Sequence, residues 1–320
     1  MRLLLLSNLF PDASEPIRGL DNATLLETLA ARHGLEARVL SPRPRLERWL
    51  GANQGQACLR ALPHHLAFEP AYVPVRHLPK LGGIANAELM CRDLRAAFQG
   101  ICEEFRPEAA LAPWLFPDGC AAAALCSEAG LPLTLVAQGS DVHRYLDSPP
   151  RRRRIVAAAT SARAVICRSG DLARRLADAG VPPERLEVIY NGVDTEIFRP
   201  RDRAECRAAL GLGGEGPLLL FVGNLLPVKD PLFLLRAVSA WNTGRSAAGR
   251  PCARLRFIGD GPLRSDLVRE IARLGAEPWA DLLGRRPPEE VARWMGAADL
   301  LCLSSRNEGF PNVILEAMAC

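Results

Sequence analysis

Lysine is almost missing from this 320-residue chain: of its 40 basic residues, only Lys80 and Lys229 are lysine. With alanine, glycine and proline abundant, that bias fits a GC-rich coding sequence that writes arginine wherever any cation serves. A lysine that persists against it marks a position where a guanidinium does not serve. Long apolar runs are absent too, since none approaches the ~18 residues a membrane helix needs. The opening Met1-Arg-Leu-Leu-Leu-Leu breaks at Asn8 and Pro11, with no small-residue cleavage site after it. It reads as a buried first strand and not as a signal peptide.

Paired motifs are lacking as well. The ten cysteines form no C-x-x-C, and several sit in apolar runs, such as Cys167 in AVIC and Cys302 in LLCL. This predicts buried reduced thiols and a cytoplasmic setting. The five histidines give no HExxH, and only His64 and His65 are neighbours, so no metal site is expected. No G-x-G-x-x-G follows the first strand, where Ser7-Asn-Leu-Phe-Pro stands, which disfavours a Rossmann dehydrogenase. The net charge of +4 is spread over both halves, so a dedicated nucleic-acid binder is disfavoured.

What is present is apolar material for two cores: 48 % hydrophobic residues in a chain longer than the usual single-core limit of roughly 250 residues. Short apolar runs alternate with helix-like stretches. Strands are expected at Arg2–Ser7, Leu35–Leu40, Ala109–Ala112, Leu133–Ala137, Ala164–Cys167 and Leu186–Ile189, with helices at Leu20–Arg32, Ala85–Phe105 and Gly119–Ala129. Residues 42–84 show little periodicity. After residue 200 the pattern restarts, with strands at Leu218–Val222, Leu255–Ile258, Ala280–Leu283 and Leu300–Leu303. Helices are expected at Pro231–Ala240, Pro262–Leu274, Pro288–Met295 and from Asn312 onward. The fold class is therefore α/β: two Rossmann-like domains, residues 1–200 and 201–320, facing a cleft at the carboxyl ends of their strands.

Four segments fall at such strand ends. In Phe221-Val-Gly-Asn-Leu-Leu-Pro-Val-Lys-Asp230 a strand runs into Gly223 and Asn224, then one cation, then a helix start. Backbone N–H groups and a compact ammonium suit a phosphate, against the alternative of an ordinary turn with a solvated lysine. The scarcity of lysine favours the phosphate. Gly259-Asp-Gly261-Pro is a second glycine turn, by itself weak evidence. Gln138-Gly139-Ser140-Asp141 either approaches a ligand or caps the next helix. In the fourth segment, Glu308 and Glu316 bracket Gly309-Phe310-Pro311-Asn312, a turn that opens a helix. Two carboxylates beside free backbone donors suit sugar hydroxyls together with phosphate; the alternative is an acidic complement to the helix dipole plus a solvated glutamate.

Taken together with Trp114…Pro117-Asp-Gly and Val188-Ile-Tyr-Asn-Gly-Val-Asp-Thr-Glu-Ile-Phe-Arg-Pro200, these segments resemble the family-4 retaining glycosyltransferases of the two-domain GT-B fold. The likeness runs from about Pro113 to Cys320. It implies a nucleotide-diphosphate sugar bound by the second domain and an acceptor, glycan or lipid-linked, bound by the first. By the resemblance, Glu316 would hold the ribose hydroxyls, and Glu308 with the backbone of Gly309, Phe310, Pro311 and Asn312 would hold the transferred sugar. Lys229 would neutralise the leaving diphosphate, with no cofactor or metal. Gly223, Asn224, Gly259 and Gly261 would line the donor site. Gln138, Gly139, Ser140, Asp141 and Asn191 would face the acceptor or the cleft. The implied setting is bacterial cell-surface polysaccharide assembly.

The chain departs from the family pattern at several points. Asn224 stands where an arginine is common, leaving one cation fewer unless Arg306 or another arginine reaches in. Gln138 replaces a usual histidine, and Pro16-Ile-Arg-Gly19 offers one glycine where a pair is usual. The family continues past the helix carrying Glu316, so the second domain is expected to be incomplete. Arg43-Pro-Arg-Leu-Glu-Arg-Trp-Leu50 and Arg151-Arg-Arg-Arg154 have two readings: contacts with anionic lipid at a membrane surface or with a phosphorylated carrier, or a solvated surface loop and a solvated helix start. The rival to an enzyme is a non-catalytic nucleotide-sugar- or partner-binding remnant of the fold.

Overall fold

The computed structural model describes residues 1–12, 18–45, 68 and 70–320. The chain forms two compact units, Met1–Tyr190 and Asn191–Cys320. Residues 191–200 go with the second unit because Phe198 is buried in its core, with Val193 and Ile197 packed alongside.

The first unit carries β1 (Arg2–Leu6), α1 (Leu20–His33), β2 (Glu36–Arg45), β3 (Pro70–Arg76), α2 (Asn86–Phe105), β4 (Ala109–Pro113), α3 (Cys120–Ala129), β5 (Leu133–Ala137), α4 (Ser140–His143), α5 (Pro149–Ser161), β6 (Ala164–Cys167), α6 (Gly170–Asp178) and β7 (Leu186–Val188). The strands form one parallel sheet in the order β3-β2-β1-β4-β5-β6-β7. The unbroken leucine run of β1 follows from burial on both faces. Leu4 and Leu6 enter the core formed with α2 and α3, while Leu3 and Leu5 enter a second core with α1.

The second unit carries α7 (Arg203–Ala209), β8 (Leu218–Val222), α8 (Pro231–Ala247), β9 (Arg254–Ile258), α9 (Arg264–Arg273), β10 (Ala280–Gly284), α10 (Pro288–Ala297), β11 (Leu300–Leu301) and α11 (Asn312–Ala319). Its parallel sheet runs β10-β9-β8-β11. Alternation again divides one apolar strand between two cores. Leu219 and Phe221 of β8 pack with α8 and α9, and Leu218 and Leu220 pack with α7 and α10.

The sequence reading missed β3 and stopped β2 five residues short. Proline explains both. Pro70 and Pro74 are tolerated because β3 is an edge strand, and Pro42 and Pro44 lie beyond the part of β2 that pairs with β1. For α4 and α5 the sequence reading allowed only a helix after Asp141 and a helix start at residues 151–154, without bounds, and it named no helix at α6 or α7. In α5 the four arginines hide the pattern, although Pro149 and Pro150 occupy the first-turn positions proline favours.

Strand order reverses between β1 and β4 in the first unit, and between β8 and β11 in the second. In open α/β sheets, ligands bind outside the carboxyl ends of strands at such a reversal. In the first unit the described polar groups near that point bond to one another. Asp118, fully buried, accepts from the Asn8 backbone N–H at 2.6 Å, the Asn8 side-chain amide at 2.7 Å and the Ser7 hydroxyl at 3.5 Å. Arg43 donates to the carbonyls of Asn8 (2.8 Å) and Phe10 (2.6 Å), pairs with Asp12 at 3.0 Å and stacks over Tyr72.

Burial pushes the Asp118 carboxyl up to about 7, against the hydrogen bonds from Asn8. The folded state therefore holds a proton that the unfolded chain releases near pH 4, and stability drains away as pH rises from about 4 to 7. Asp118→Asn cannot titrate there. In urea unfolding, the stability of wild type relative to this variant should fall by about 2 kcal/mol between pH 5 and 8. A pH-independent gap would refute the assignment.

Candidate functional site

At the second unit's reversal, β8 ends in the loop 223–230 and β11 in the loop 302–311. Gly223 leaves β8 with φ 154° and its N–H donates to the Ile258 carbonyl at 2.9 Å. Leu225 N–H then donates to Asp260 O (3.0 Å), and Leu263 N–H to Leu225 O (3.1 Å), so the loops after β8 and β9 are hydrogen-bonded side by side. This close approach accounts for the Gly-Asp-Gly turn. A Cβ on Gly259 would stand 2.0 Å from the Gly223 carbonyl oxygen, and one on Gly261 would stand 2.6 Å from that of Leu225. Both glycines have φ in the range that side chains avoid, 136° and 158°. Asn224 is exposed.

The reversal brings two oppositely charged groups together across 79 residues of sequence. Lys229 Nζ donates to Glu308 Oε1 in an ion pair whose side chains are 25 % and 24 % exposed. Ser304 Oγ donates to the Lys229 carbonyl at 2.8 Å, and the Arg306 N–H to the Val228 carbonyl at 2.8 Å. The Arg306 guanidinium, offered above as a spare cation, is engaged by Asp230 at 2.8 Å. Gly309, Phe310 and Pro311 are partly buried on the way into α11, and Glu316 lies one turn inside that helix. Asn312, its first residue, accepts from the Asn191 side-chain amide at 2.6 Å. Asn191 is thereby joined to the start of α11. A cavity of about 330 Å³ in this unit is lined by Arg201, Met295, Asp299, Leu301, Ala317 and Cys320 among others, and by none of these site residues. We assign the site by topology and charge, not by depth.

In the first unit, the Asp141 carboxylate organises the turn that carries Gln138, Gly139 and Ser140. Asp141, completely buried, accepts the backbone N–H groups of Leu115 (3.1 Å), Gln138 (3.1 Å) and Gly139 (2.7 Å). Burial raises its carboxyl and those N–H groups oppose the rise. Gln138 donates its side-chain amide to Asn22 at 3.0 Å, while Ser140 starts α4 exposed. Of the arginine run, Arg151 stacks on Phe116 and Tyr145, Arg152 donates to the Leu146 carbonyl and Arg154 pairs with Glu88. Arg43 is buried and so leaves the surface segment in which the sequence placed it; residues 46–50 lie outside the described residues, as do Pro16, Ile17, Cys58, His64 and His65. The nine described cysteines are free, and burial pushes Cys120, Cys126 and Cys167 up to about 12. No helix among the described residues is long and apolar enough to cross a membrane.

The model of glycosyltransferase family 4 matches residues 23–197, more than half of the chain. The chain belongs to this family. A second model, glycosyl transferases group 1, matches residues 216–320 of the family-4 chain and so covers the loops built above. Curated relatives include D-inositol 3-phosphate glycosyltransferases. That of Thermobispora bispora is 39 % identical over 148 residues, 43 % of this chain and 33 % of the relative. That of Frankia alni is 41 % identical over 147 residues, 43 % of this chain and 35 % of the relative. The family-4 chain thus spans about a third of the length of the curated relatives it matches. Among solved structures, Anabaena HepE in complex with UDP has a TM-score of 0.71 at 22 % identity, over 100 % of this chain and 79 % of that one. Sucrose-phosphate synthase from Thermosynechococcus elongatus has 0.74 at 18 %, with coverage of 100 % and 79 %. At these identities the likeness is one of fold, GT-B.

The loop packing gives a structural test. Gly259→Ala should lower unfolding stability by at least about 2 kcal/mol, since neither a 2.0 Å contact nor φ 136° tolerates a Cβ. Gly100→Ala, in α2 with nothing within 4 Å, should raise it by about 0.5–1 kcal/mol. Chemical denaturation of the two variants side by side checks both signs.

Proposed function

We propose that the chain is a glycosyltransferase that moves a hexose or hexosamine from a nucleotide-diphosphate sugar to a glycan or lipid-linked acceptor, with retention at the anomeric carbon. The observation that carries this is the pairing of Lys229 with Glu308 at the carboxyl end of a parallel sheet, where its strand order reverses. The pair offers a cation for the diphosphate beside a carboxylate for sugar hydroxyls, and Glu316 one turn into α11 is assigned to the ribose hydroxyls. HepE, solved with UDP and with UDP-glucose, supports a nucleotide-sugar donor.

In the proposed reaction the bond from the anomeric carbon to the diphosphate oxygen breaks and one to the acceptor oxygen forms on the same face. The acceptor proton passes to the departing phosphate oxygen. Lys229 stabilises the charge growing on that phosphate, the term expected to weigh most, and takes the place of a divalent metal. The proposed setting is cell-surface polysaccharide assembly at the cytoplasmic face of a bacterial membrane. The curated relatives' name adds phosphorylated inositol to the acceptors worth testing.

Calorimetry with UDP- and GDP-sugars, coupled to an assay of nucleoside diphosphate release, tests the reading in the chain and in a form extended past Cys320. Binding without release in the extended form would favour the non-catalytic remnant. Lys229→Ala should slow release by at least about 100-fold, and a chelator should leave wild-type release unchanged. Glu308→Gln separates the two halves of the site. Freed from its internal competitor, Lys229 should bind UDP about 3- to 10-fold more tightly, whereas UDP-glucose should lose affinity. Parallel weakening of both ligands would contradict the assignment.

A further inference from the structure

The tie between the two loops has a second charged component beside the Lys229–Glu308 pair. Asp230, immediately before α8, has φ 42° and ψ 53°, the left-handed region in which a side chain is strained and glycine is not. An aspartate at a helix start ordinarily accepts an N–H from the first turn. The Asp230 carboxylate makes no such bond. Its Oδ2 accepts instead from Arg306 Nε at 2.9 Å and Nη2 at 2.8 Å. Three consecutive residues of the first loop are therefore gripped by the second: Val228 by the Arg306 N–H, Lys229 by the Ser304 hydroxyl and Asp230 by the Arg306 guanidinium.

Stability does not account for this aspartate. Arg306 is 74 % exposed, and ion pairs this open contribute little to folding. The backbone strain at Asp230 works against folding as well. A strained residue retained where it adds little stability points to a positional role.

That role follows from what a ligand does to the neighbouring pair. A phosphate arriving at Lys229 and hydroxyls arriving at Glu308 replace the direct bond between them. The pair then no longer holds the loops together. The Asp230–Arg306 pair, one residue beyond Lys229 and two before Glu308, is left intact. We propose that Asp230 and Arg306 are positioning residues, a latch that keeps Lys229 and Glu308 in register while a ligand with adjoining phosphate and polyhydroxyl groups occupies both. This rests on the donor reading given above. It also predicts which ligands notice the latch: those that span both loops, and not a diphosphate that meets Lys229 alone.

The full chain should be compared with Asp230→Gly, Arg306→Gln, Arg306→Lys and the double variant Asp230→Gly/Arg306→Gln. Glycine keeps the left-handed backbone while removing the carboxylate, so the thermal midpoint of Asp230→Gly should stay within about 2 °C of wild type or rise. Hydrogen exchange at the residue-306 amide should quicken about 10-fold in Asp230→Gly and in Arg306→Gln. Calorimetry should show UDP-glucose affinity reduced about 5- to 10-fold in each, no further in the double, and partly restored in Arg306→Lys. Affinity for UDP alone should change less than about 2-fold. The latch is overturned by unchanged exchange, by additive losses in the double variant, or by equal losses for UDP and UDP-glucose. Tighter UDP binding in Asp230→Gly with weaker binding in Arg306→Gln would also overturn it, because Arg306 would then be a phosphate ligand. A wild type that binds neither UDP-glucose nor GDP-mannose sinks the donor reading and the positioning role with it. The exchange rates then still report whether the pair fastens the loops.

Discussion

Attraction between an ammonium and a carboxylate usually contributes little at a protein surface, because water screens it and long side chains lose freedom to hold it. The Lys229–Glu308 pair matters for a different reason. Its partners leave neighbouring strands, β8 and β11, on the two sides of a topological reversal, so helices cannot cover the gap between their loops. Everything else in the second unit serves that placement. The leucine and phenylalanine alternation of β8 seats the strand between two cores, and the glycines after β8 and β9 let two loops lie in backbone contact. Asp230 and Arg306 fasten the outer side.

The first unit meets the same topological situation and resolves it differently. Where β1 and β4 part, a buried carboxylate, Asp118, gathers the Asn8 and Ser7 donors, and Arg43 seals the carbonyls that follow. Such a network is costly to leave half-satisfied, and Gly19, with φ 63° and no room for a Cβ beside the Leu9 carbonyl, lets the chain return against it. Asp141 does the same for the turn after β5. Asp118, Arg43 and Asp141 at the carboxyl edge of this sheet are thus directed inward.

Much of this was legible in the sequence wherever the signal was local. Strands buried on both faces, such as Leu133–Ala137 and Leu218–Val222, announce themselves as short apolar runs, and their observed limits coincide with the expected ones. Lysine scarcity pointed to Lys229 because composition made that one residue informative. Glycine turns were legible as turns, but not their cause, which is the approach of a second loop from another part of the chain. Arg306 illustrates the limit. From sequence it was a spare cation near a phosphate loop; only the fold brings Asp230, 76 residues away, to engage it. Strands threaded with proline, β3 above all, escape pattern reading because edge positions relax the rule that excludes proline.

The hydrogen bonds from Gly223 to Ile258, from Leu225 to Asp260 and from Leu263 to Leu225 continue the β8–β9 ladder past the ends of both strands. Mechanically, the loop bearing Lys229 is therefore an extension of the sheet along one margin and a free rim along the other. On the sheet side it is held by backbone hydrogen bonds to the loop after β9. On the rim it meets the 302–311 segment, through side chains and one backbone bond from Arg306. The lysine's own backbone is held on that rim, through Ser304 on its carbonyl and Arg306 on the carbonyl before it, so the two walls of the site are joined by main chain as well as by charge.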